Sequence, residues 1–564
     1  MNGFGSCFFE LQGDTLTVGN APFRYEIAGV EAAQAQLCDA NGLSAPYMEV
    51  TAQVQGEARR YGVWDDMAVL WMPAYRGEKL PELQGEHWTV RTFKLHAFTD
   101  DNDTLIEETF ASTHNRQLGR NCHGEIFCCE DMLTGNGVVF ICEMPDFATA
   151  TFSLRENQVA IDTSGCGLVI GFCRAGECEK LSRTYYRHAC ARKSLFAMSN
   201  TWGDRNGFSR VCDEFVRKEI LAGEEIGVDI VQIDDGWQTG STADTTRRDE
   251  QGRRVFYGDF WDLNTQRFPN GMRCIADEAN ARGMRLGLWF APESHNDFAL
   301  MDRDIQVLKK AYDEWNVRFF KLDMYWIEDL KALGLFHTLL ERIYALGDDV
   351  AVQFDVTRDA RVNYFGCREF GTIFVENRYT RRGNAFPHRV LRNLWMIGHI
   401  LPTNKFQFEL TNPDLNQTSY APDDPFAPVN YEMDYLFATV MLSNPLFWME
   451  MQFLSAQRRE ELKRIMPIWK EHRAALVKAD VMPIGERPSG RSRTGFHIDA
   501  GERGEYLLLF AEATDQLTGC FDAPVRGKTA QVLASNAPVD VQVQDGQVRA
   551  VFTKPLSYAF VQIV

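Results

Sequence analysis

Carboxylates end several short apolar runs in the middle of the chain, and the clearest case is FFKLD at residues 319–323. In an extended strand alternate side chains share one face, which places Phe319, Lys321 and Asp323 together, with Asp323 at the carboxyl end. A lysine two positions before a carboxylate favours the ionised form and can donate to a hydroxyl group. The run therefore makes Asp323, with Lys321 beside it, the best single candidate for a residue that does chemistry. A structural Lys–Asp ion pair is the alternative.

A second acidic motif, IDDGWQ at residues 233–238, has two adjacent carboxylates before a glycine turn and an aromatic ring. Carboxylates that accept from neighbouring hydroxyls beside an apolar ring are typical of a sugar site. Consecutive strand residues point to opposite faces, so Asp234 and Asp235 cannot both enter one cavity from an ideal strand. We expect one to bind ligand and the other to anchor the loop, with Trp237 as the wall. A capped turn is the alternative.

The third motif is IFVENRYT at residues 373–380. A retaining glycosidase needs a proton donor as well as a nucleophile, with the two carboxyl groups about 5 to 5.5 Å apart. Glu376 is the candidate donor, provided that burial or the charge of Asp323 raises its pKa. A plain Glu376–Arg378 salt bridge is the alternative.

Tryptophan is favoured for stacking on the apolar face of a pyranose. Trp202 and Trp237 lie beside polar loop residues and are candidates for that role. Trp289, Trp326 and Trp448 are predicted to pack in the core.

Composition excludes several classes of function. A formal net charge of −19 argues against a nucleic-acid partner and favours a neutral ligand. Neither a long apolar run nor an export signal is visible, so we expect a cytoplasmic protein with no membrane partner. The fourteen cysteines are scattered and are expected to be reduced thiols. Neither a metal motif nor a phosphate-binding glycine loop stands out, so no metal and no cofactor are predicted.

The elements that must position these residues are eight apolar runs, each ending in polar residues and followed by a stretch with helical spacing. The runs are FAMSNTW (196–202), GVDIVQIDD (227–235), RLGLWFAPE (285–293), VRFFKLD (317–323), VAVQFDV (350–356), GTIFVEN (371–377), FQFELTN (406–412) and NPLFWME (444–450). Eight parallel strands predict an α/β fold, a closed (β/α)₈ TIM barrel, whose catalytic groups lie at the carboxyl ends of the strands.

Period-two alternation on either side of the barrel predicts two further β domains. We expect an N-terminal antiparallel β-sandwich domain at residues 1–190, the barrel at 191–482 and a small C-terminal β-sandwich domain at 483–564. A helix at about 458–478, with a kink at Pro467, is predicted to close the barrel.

With these motifs in hand, the chain resembles the retaining α-glycosidases of glycoside hydrolase families 27, 31 and 36, and looks most like family 36. The resemblance is carried by NTWGD (200–204), IDDGWQ (233–238), GLWFAPE (287–293) and FKLDM (320–324), in the order of that family's first four barrel strands. It implies a nucleophile at Asp323 and contacts to the sugar from Asp234, Asp235, Lys321, Trp202, Asp204 and Trp237. Glu293 matches an acidic position after the third strand.

The second half of the barrel departs from the family. A glycine-rich loop of the family is replaced by FDVTRDARVNYFG (354–366), which carries Asp355 and Arg361. Glu376 stands where the family has an aspartate as acid/base. Arg361 and Arg378 become candidate substrate contacts, and an arginine in the loop could meet an acidic or substituted sugar.

We therefore predict a retaining α-glycosidase that releases terminal α-linked sugars from an oligosaccharide or α-glycoside by double displacement, most similar to an α-galactosidase. The resemblance also implies association of copies into a homo-oligomer. Alternatives are an α-N-acetylgalactosaminidase or another α-glycosidase on the same barrel, and a carbohydrate-binding protein that has lost catalysis. An isomerase or epimerase would need a metal triad or a nicotinamide loop, and neither is visible.

Overall fold

The structure is a computed structural model of the 564-residue chain. It describes all residues except 1, 39–45, 86, 97–102, 113–119, 145–148, 191–193, 204–206, 208, 241–246, 249, 251–253, 256–258, 358–367 and 545.

The N-terminal part consists of antiparallel sheets. Its strands are β1 (Asn2–Phe4), β2 (Cys7–Gln12), β3 (Thr15–Asn20), β4 (Phe23–Ala28), β5 (Val30–Cys38), β6 (Tyr47–Val54), β7 (Glu57–Val63), β8 (Val69–Met72), β9 (Trp88–Leu95), β10 (Leu105–Ser112), β11 (Cys122–Gly124), β12 (Ile126–Asp131), β13 (Asn136–Glu143), β14 (Ala150–Arg155), β15 (Gln158–Asp162) and β16 (Gly167–Arg174). Nine of them form one sheet in the order β10-β9-β12-β13-β16-β8-β7-β6-β5, beside sheets of four and three strands.

Alternation of apolar and polar residues explains these sheets. In β4 the apolar residues Phe23, Tyr25 and Ile27 are buried while the polar residues between them are exposed. Buried residues of the three sheets share one hydrophobic core.

A closed barrel of eight parallel strands follows, as the sequence predicts. Its strands are β17 (Met198–Asn200), β18 (Ile230–Ile233), β21 (Arg285–Phe290), β22 (Phe319–Leu322), β23 (Ala351–Asp355), β24 (Thr372–Phe374), β25 (Phe406–Leu410) and β26 (Asn444–Phe447). A small hairpin of β19 (Arg247–Arg248) and β20 (Arg254–Val255) lies in the loop after β18.

Helices connect the barrel strands. They are α2 (Asp213–Ile226), α3 (Met272–Ala281), α4 (Met301–Asp313), α5 (Leu330–Tyr344), α6 (Pro387–Ile397), α7 (Met433–Val440) and α8 (Ala456–Leu476), while α1 (Cys178–Ala189) joins β16 to the barrel. Helix α8 starts at an N-cap, where the Ser455 side chain accepts from the backbone N–H of Arg458, and it continues through Pro467.

Period two separates the two faces of each barrel strand. Met198, Ile230, Phe319, Phe374 and Leu446 pack together as an apolar plug inside the barrel. Phe320 and Leu322 instead join the large core between the strands and the helices. The side chain two positions after Phe319, that of Lys321, therefore lies above the plug.

The C-terminal part is again antiparallel. Its strands are β27 (Asp480–Gly485), β28 (Arg493–Asp499), β29 (Glu505–Ala511), β30 (Thr518–Asp522), β31 (Ala530–Ser535), β32 (Val539–Gln544), β33 (Gln547–Phe552) and β34 (Ser557–Ile563). They form a five-stranded and a three-stranded sheet around a core of their own.

Ion pairs link the flanking parts to the barrel. Arg183 of α1 contacts Asp480 of β27 at 3.0 Å, and Arg368, before β24, contacts Glu143 of β13 at 2.5 Å. Among the described helices, none combines the length and the apolar character that crossing a bilayer requires.

Candidate active site

A lysine surrounded by carboxylates lies at the carboxyl ends of the barrel strands. The ammonium nitrogen of Lys321 is 3.0 Å from Asp234 Oδ2, 3.2 Å from Asp355 Oδ2 and 4.0 Å from Asp323 Oδ2. These residues come from the carboxyl ends of β18, β22 and β23. In the barrel β22 and β23 are neighbours, and β21 lies between β18 and β22. The closure of the barrel thus brings together side chains that are far apart in sequence.

Lys321 stays charged in this surrounding. Burial alone would lower its pKa, but the charges of Asp234, Asp355 and Asp323 outweigh that effect and raise the pKa above its usual value. The rings of Trp448 and Phe374 lie 5.3 and 5.9 Å from the ammonium and form an apolar floor below it.

Asp323 follows β22 directly and is the most accessible of these carboxylates, with 16% of its side-chain surface exposed. The indole nitrogen of Trp289 donates to Oδ2 at 3.0 Å, and the backbone N–H of Met324 donates to Oδ1 at 2.6 Å. Met324 has a φ of +55°, an uncommon conformation for a non-glycine residue. The chain therefore turns sharply behind a carboxylate that donors hold in place.

Asp234 is the buried partner of Lys321. Asn200 of β17 donates to Asp234 Oδ2 at 2.7 Å, and the backbone N–H of Asp234 donates to the Thr201 hydroxyl. Burial raises the pKa of Asp234, against the charge of Lys321 and the bond from Asn200.

Asp235 differs from its neighbour because it has no lysine beside it. Gln238 donates to Oδ1 of Asp235 at 2.6 Å. Burial, followed by the charges of Asp234 and Asp323, raises the pKa of Asp235 to about 7. At neutral pH this carboxyl group carries a proton in a large fraction of molecules and can donate to an acceptor.

Asp355 ends the fifth strand, at the start of the segment that replaces the family's glycine-rich loop. Its Oδ1 accepts from the backbone N–H of Thr357 at 3.1 Å and from the Thr357 hydroxyl at 2.7 Å. Its other oxygen faces Lys321. The fifth strand thus adds a negative charge to the floor of the site.

The structure places Glu376, the predicted acid/base, in a buried ion pair. The side chain has 0% exposed surface, forms an ion pair with Arg378, and accepts a hydrogen bond from Asn393 of α6. In this arrangement it has no surface from which to reach a glycosidic oxygen. Arg378, a predicted substrate contact, is equally buried. The salt bridge that the sequence left as the alternative is the arrangement present.

Trp237 also lies elsewhere than predicted. It is 1% exposed, and its ring packs against Trp261 and Trp315 at centroid distances of 5.9 and 5.7 Å. Its indole N–H donates to the carbonyl of Trp289 at 2.9 Å. A ring covered on its faces by protein cannot stack on a sugar, so Trp237 supports the wall of the barrel instead.

Two further predicted contacts are described by the structure. Trp202 is half-buried and packs against the apolar plug. Glu293 is buried in the loop after β21, where its Oε1 accepts from the backbone N–H of Asn296, and burial raises its pKa. Asp204 and Arg361 lie outside the described residues.

Sequence reasoning missed two residues of this site. Asn200 was quoted only as part of a motif, and Trp289 was assigned to the core. The alternation that places Lys321 in the barrel also places Asn200 and Trp289 on the inner face of their strands, so the same signal could have found both. Among the described residues, no three metal-ligating side chains converge on a common point.

Comparison with known proteins agrees with this architecture. The Melibiase family model matches residues 180–317. A curated relative, alpha-galactosidase AgaA of Geobacillus stearothermophilus, is 36% identical over 69 residues, which are 12% of this chain and only 8% of that protein.

Solved structures match over much more of the chain. A structure of AgaA in complex with 1-deoxygalactonojirimycin has a TM-score of 0.67 at 11% identity, covering 95% of this chain and 87% of that one. The galactosidase domain of the alpha-galactosidase–sucrose kinase AgaSK gives 0.64 at 12% identity, covering 95% and 86%. The alpha-galactosidase of Lactobacillus brevis gives 0.61 at 10% identity, covering 100% and 84%. The chain therefore matches the Melibiase model over residues 180–317 and shares its overall fold with these α-galactosidases.

Proposed function

We propose that this protein is a retaining α-glycosidase of the α-galactosidase type, acting on terminal α-linked sugars of oligosaccharides. The observation that carries the proposal is the Asp323 carboxylate, accessible at a barrel strand end and held by Trp289, Met324 and Lys321. The related AgaA structures with bound raffinose and stachyose support an oligosaccharide as the class of substrate.

In the first step a carboxylate oxygen of Asp323 attacks the anomeric carbon and the bond to the leaving oxygen breaks. An activated aryl group leaves as its anion, whereas a leaving sugar takes a proton from solvent. Inversion at this carbon gives a β-linked glycosyl ester. Water then attacks the same carbon, the ester bond to Asp323 breaks, and the α-sugar and the free carboxylate are released with one proton lost to solvent. Two inversions give overall retention.

The surrounding groups bind the sugar. Lys321 donates to a hydroxyl, Asp234 accepts from one, and protonated Asp235 donates to a ring or hydroxyl oxygen. Because Asp234, Asp323 and Asp355 outnumber Lys321, the floor of the site favours a neutral sugar over an acidic one.

Glu376 cannot supply the proton for the leaving group while it is locked against Arg378. An activated aryl leaving group needs no proton, so aryl α-glycosides test the nucleophile separately from the proton donor.

The ion pair between Glu376 and Arg378 also favours a second candidate function, a carbohydrate-binding protein without hydrolytic activity. In that case the Lys321 cluster binds a sugar and no turnover follows.

The test is a panel of 2,4-dinitrophenyl α-glycosides, including galactoside, glucoside, N-acetylgalactosaminide and galacturonide. We expect the galactoside to be hydrolysed with an α-anomeric first product in proton NMR. Asp323→Asn should lower kcat/KM at least about a thousandfold while the circular dichroism spectrum stays unchanged. Near-normal activity of Asp323→Asn removes the residue from this role, and sugar binding without turnover by the wild type supports the second candidate.

A further inference from the structure

Four tryptophans, Trp237, Trp261, Trp289 and Trp315, pack against one another in a continuous array that includes Trp289 of β21. Trp237 packs against Trp261 and Trp315, and Trp261 packs against Trp289 at a centroid distance of 5.8 Å. All four side chains are buried. Only Trp289 reaches the candidate active site, through the bond from its indole N–H to Asp323 Oδ2.

Two hydrogen bonds link this array to Asp323, one after the other. The Trp237 N–H donates to the backbone carbonyl of Trp289 at 2.9 Å, and the Trp289 N–H donates to Asp323 at 3.0 Å. The first bond fixes the main chain from which the Trp289 side chain extends. The second fixes the rotamer of the carboxylate.

Trp289 contacts Asp323 from a separate strand, β21, and its N–H is a directional donor. The backbone N–H of Met324 also donates to the carboxylate but moves with it, and Lys321 lies 4.0 Å away and closer to two other carboxylates. A buried ring with its single donor already aimed costs little reorganisation when the carboxylate becomes an ester.

We propose that Trp237 and Trp289 are positioning residues that act as a relay on the nucleophile, with Trp289 holding Asp323 directly and Trp237 holding Trp289. This inference rests on the proposed function. It gives Trp237 of the IDDGWQ motif a role that does not involve contact with the sugar.

The relay has an electrostatic consequence. Donation to the carboxylate favours its ionised form, as does Lys321, whereas Asp234 and Asp235 oppose it and Asp355 competes for the same lysine. Loss of the Trp289 N–H should therefore move the acidic limb of the kcat/KM profile to higher pH.

The experiment compares Trp289→Phe and Trp237→Phe, which keep a ring and remove the N–H. The matched control is Trp315→Phe, a change in the same array at a ring that donates to neither Trp289 nor Asp323. On 2,4-dinitrophenyl α-galactoside we expect roughly a 10- to 100-fold loss of kcat/KM for Trp289→Phe, a smaller loss for Trp237→Phe and less than twofold for the control.

A double-mutant cycle shows whether the loss passes through Asp323. In an Asp323→Gly background rescued by azide, Trp289→Phe should change the rate less than twofold. An equal loss in both backgrounds, or no loss in either, overturns the relay.

Binding separates this proposal from the proposed function. The Kd of 1-deoxygalactonojirimycin, measured by calorimetry, should rise in Trp289→Phe and be insensitive to that change when Asp323 is asparagine. If Kd shows this coupling between Trp289 and Asp323 but the protein hydrolyses no glycoside, the relay is supported and the proposed hydrolase function is rejected. Additive effects on Kd reject the relay whether or not the protein hydrolyses glycosides.

Discussion

Lys321 and the carboxylates around it show how one charge organises this site. Each carboxylate differs in what else it contacts: Asp234 has Asn200, Asp355 has Thr357, and Asp323 has Trp289. These contacts give similar side chains different surroundings. The sequence could predict Asp323 and Lys321 because period two acts within a single strand.

The raised pKa of Asp235 makes stability depend on pH. Its pKa rises from 3.8 to about 7 on folding, so its favourable contribution is complete below pH 4 and is lost as the pH rises through 7. Asp235→Asn removes this dependence. The change that the substitution makes in the free energy of unfolding should therefore be more favourable at pH 8 than at pH 4, by up to about 4 kcal/mol. Thermal unfolding of both proteins across this pH range measures the difference. A difference that is constant with pH would disprove the raised pKa.

Because the Glu376–Arg378 pair is buried, we expect substitution of Glu376 to lower the stability of the protein without changing how its activity depends on the leaving group of the substrate. Glu376→Gln removes the carboxylate that pairs with the guanidinium of Arg378, and we expect a loss of about 3–5 kcal/mol in the free energy of unfolding, measured in urea. The double variant with Arg378→Met should recover most of this loss.

Activity distinguishes the two roles of Glu376. A proton donor is needed for raffinose and dispensable for a dinitrophenyl glycoside. We expect Glu376→Gln to affect both substrates by the same factor. A loss confined to raffinose would show that Glu376 is the acid/base after all and that it leaves the ion pair during turnover.

The sequence could not predict the burial of Glu376 because its partners come from other elements. Asn393 lies in α6, and its side-chain carbonyl accepts from the backbone N–H of Thr104 in the N-terminal part. A motif shows which residues are adjacent in the chain, whereas burial depends on what packs from outside.

At the scale of elements, buried carboxylates tie helices to loops. Glu219 of α2 accepts from the backbone N–H groups of Met451 and Gln452, at 2.9 and 3.0 Å, in the turn after β26. Burial raises its pKa, against these bonds. One side chain thus fixes the loop that follows the eighth strand.

Replacing Glu219 by alanine removes the carboxylate that accepts hydrogen bonds from the backbone N–H groups of Met451 and Gln452. We expect Glu219→Ala to lower the free energy of unfolding by about 2–4 kcal/mol, and Glu219→Gln to lower it by less because the amide keeps one acceptor oxygen. Urea unfolding monitored by tryptophan fluorescence gives both values. Equal midpoints for wild type and Glu219→Ala would show that the loop does not depend on this contact.

The eight strands were predictable because each apolar run is short and bounded by polar residues. Some observed strands are shorter than the apolar runs that predicted them, because the polar residues at the end of the run do not pair with the neighbouring strand. Asp323 follows the end of β22 and Glu376 follows the end of β24. The predicted end of α8 also agrees closely, although the helix continues through Pro467.

At the scale of the whole molecule, the barrel is joined to its flanking sheets by buried polar contacts. Arg368 is packed between Glu143 and Glu369, and its guanidinium also donates to the Tyr185 hydroxyl. The sequence predicts that β domains flank the barrel, since alternation is visible locally. It cannot predict which charged residues meet between them, because the partners are far apart in the chain: 225 positions separate Glu143 from Arg368.

The most direct test of the account is covalent capture of the nucleophile. The wild type is incubated with 5-fluoro-α-galactosyl fluoride, digested, and sequenced by mass spectrometry. If Asp323 is the nucleophile, we expect one fluorogalactosyl group per chain, attached to Asp323, and no label in Asp323→Asn. A label on another carboxylate, or hydrolysis of the reagent with a β-anomeric first product, would contradict it.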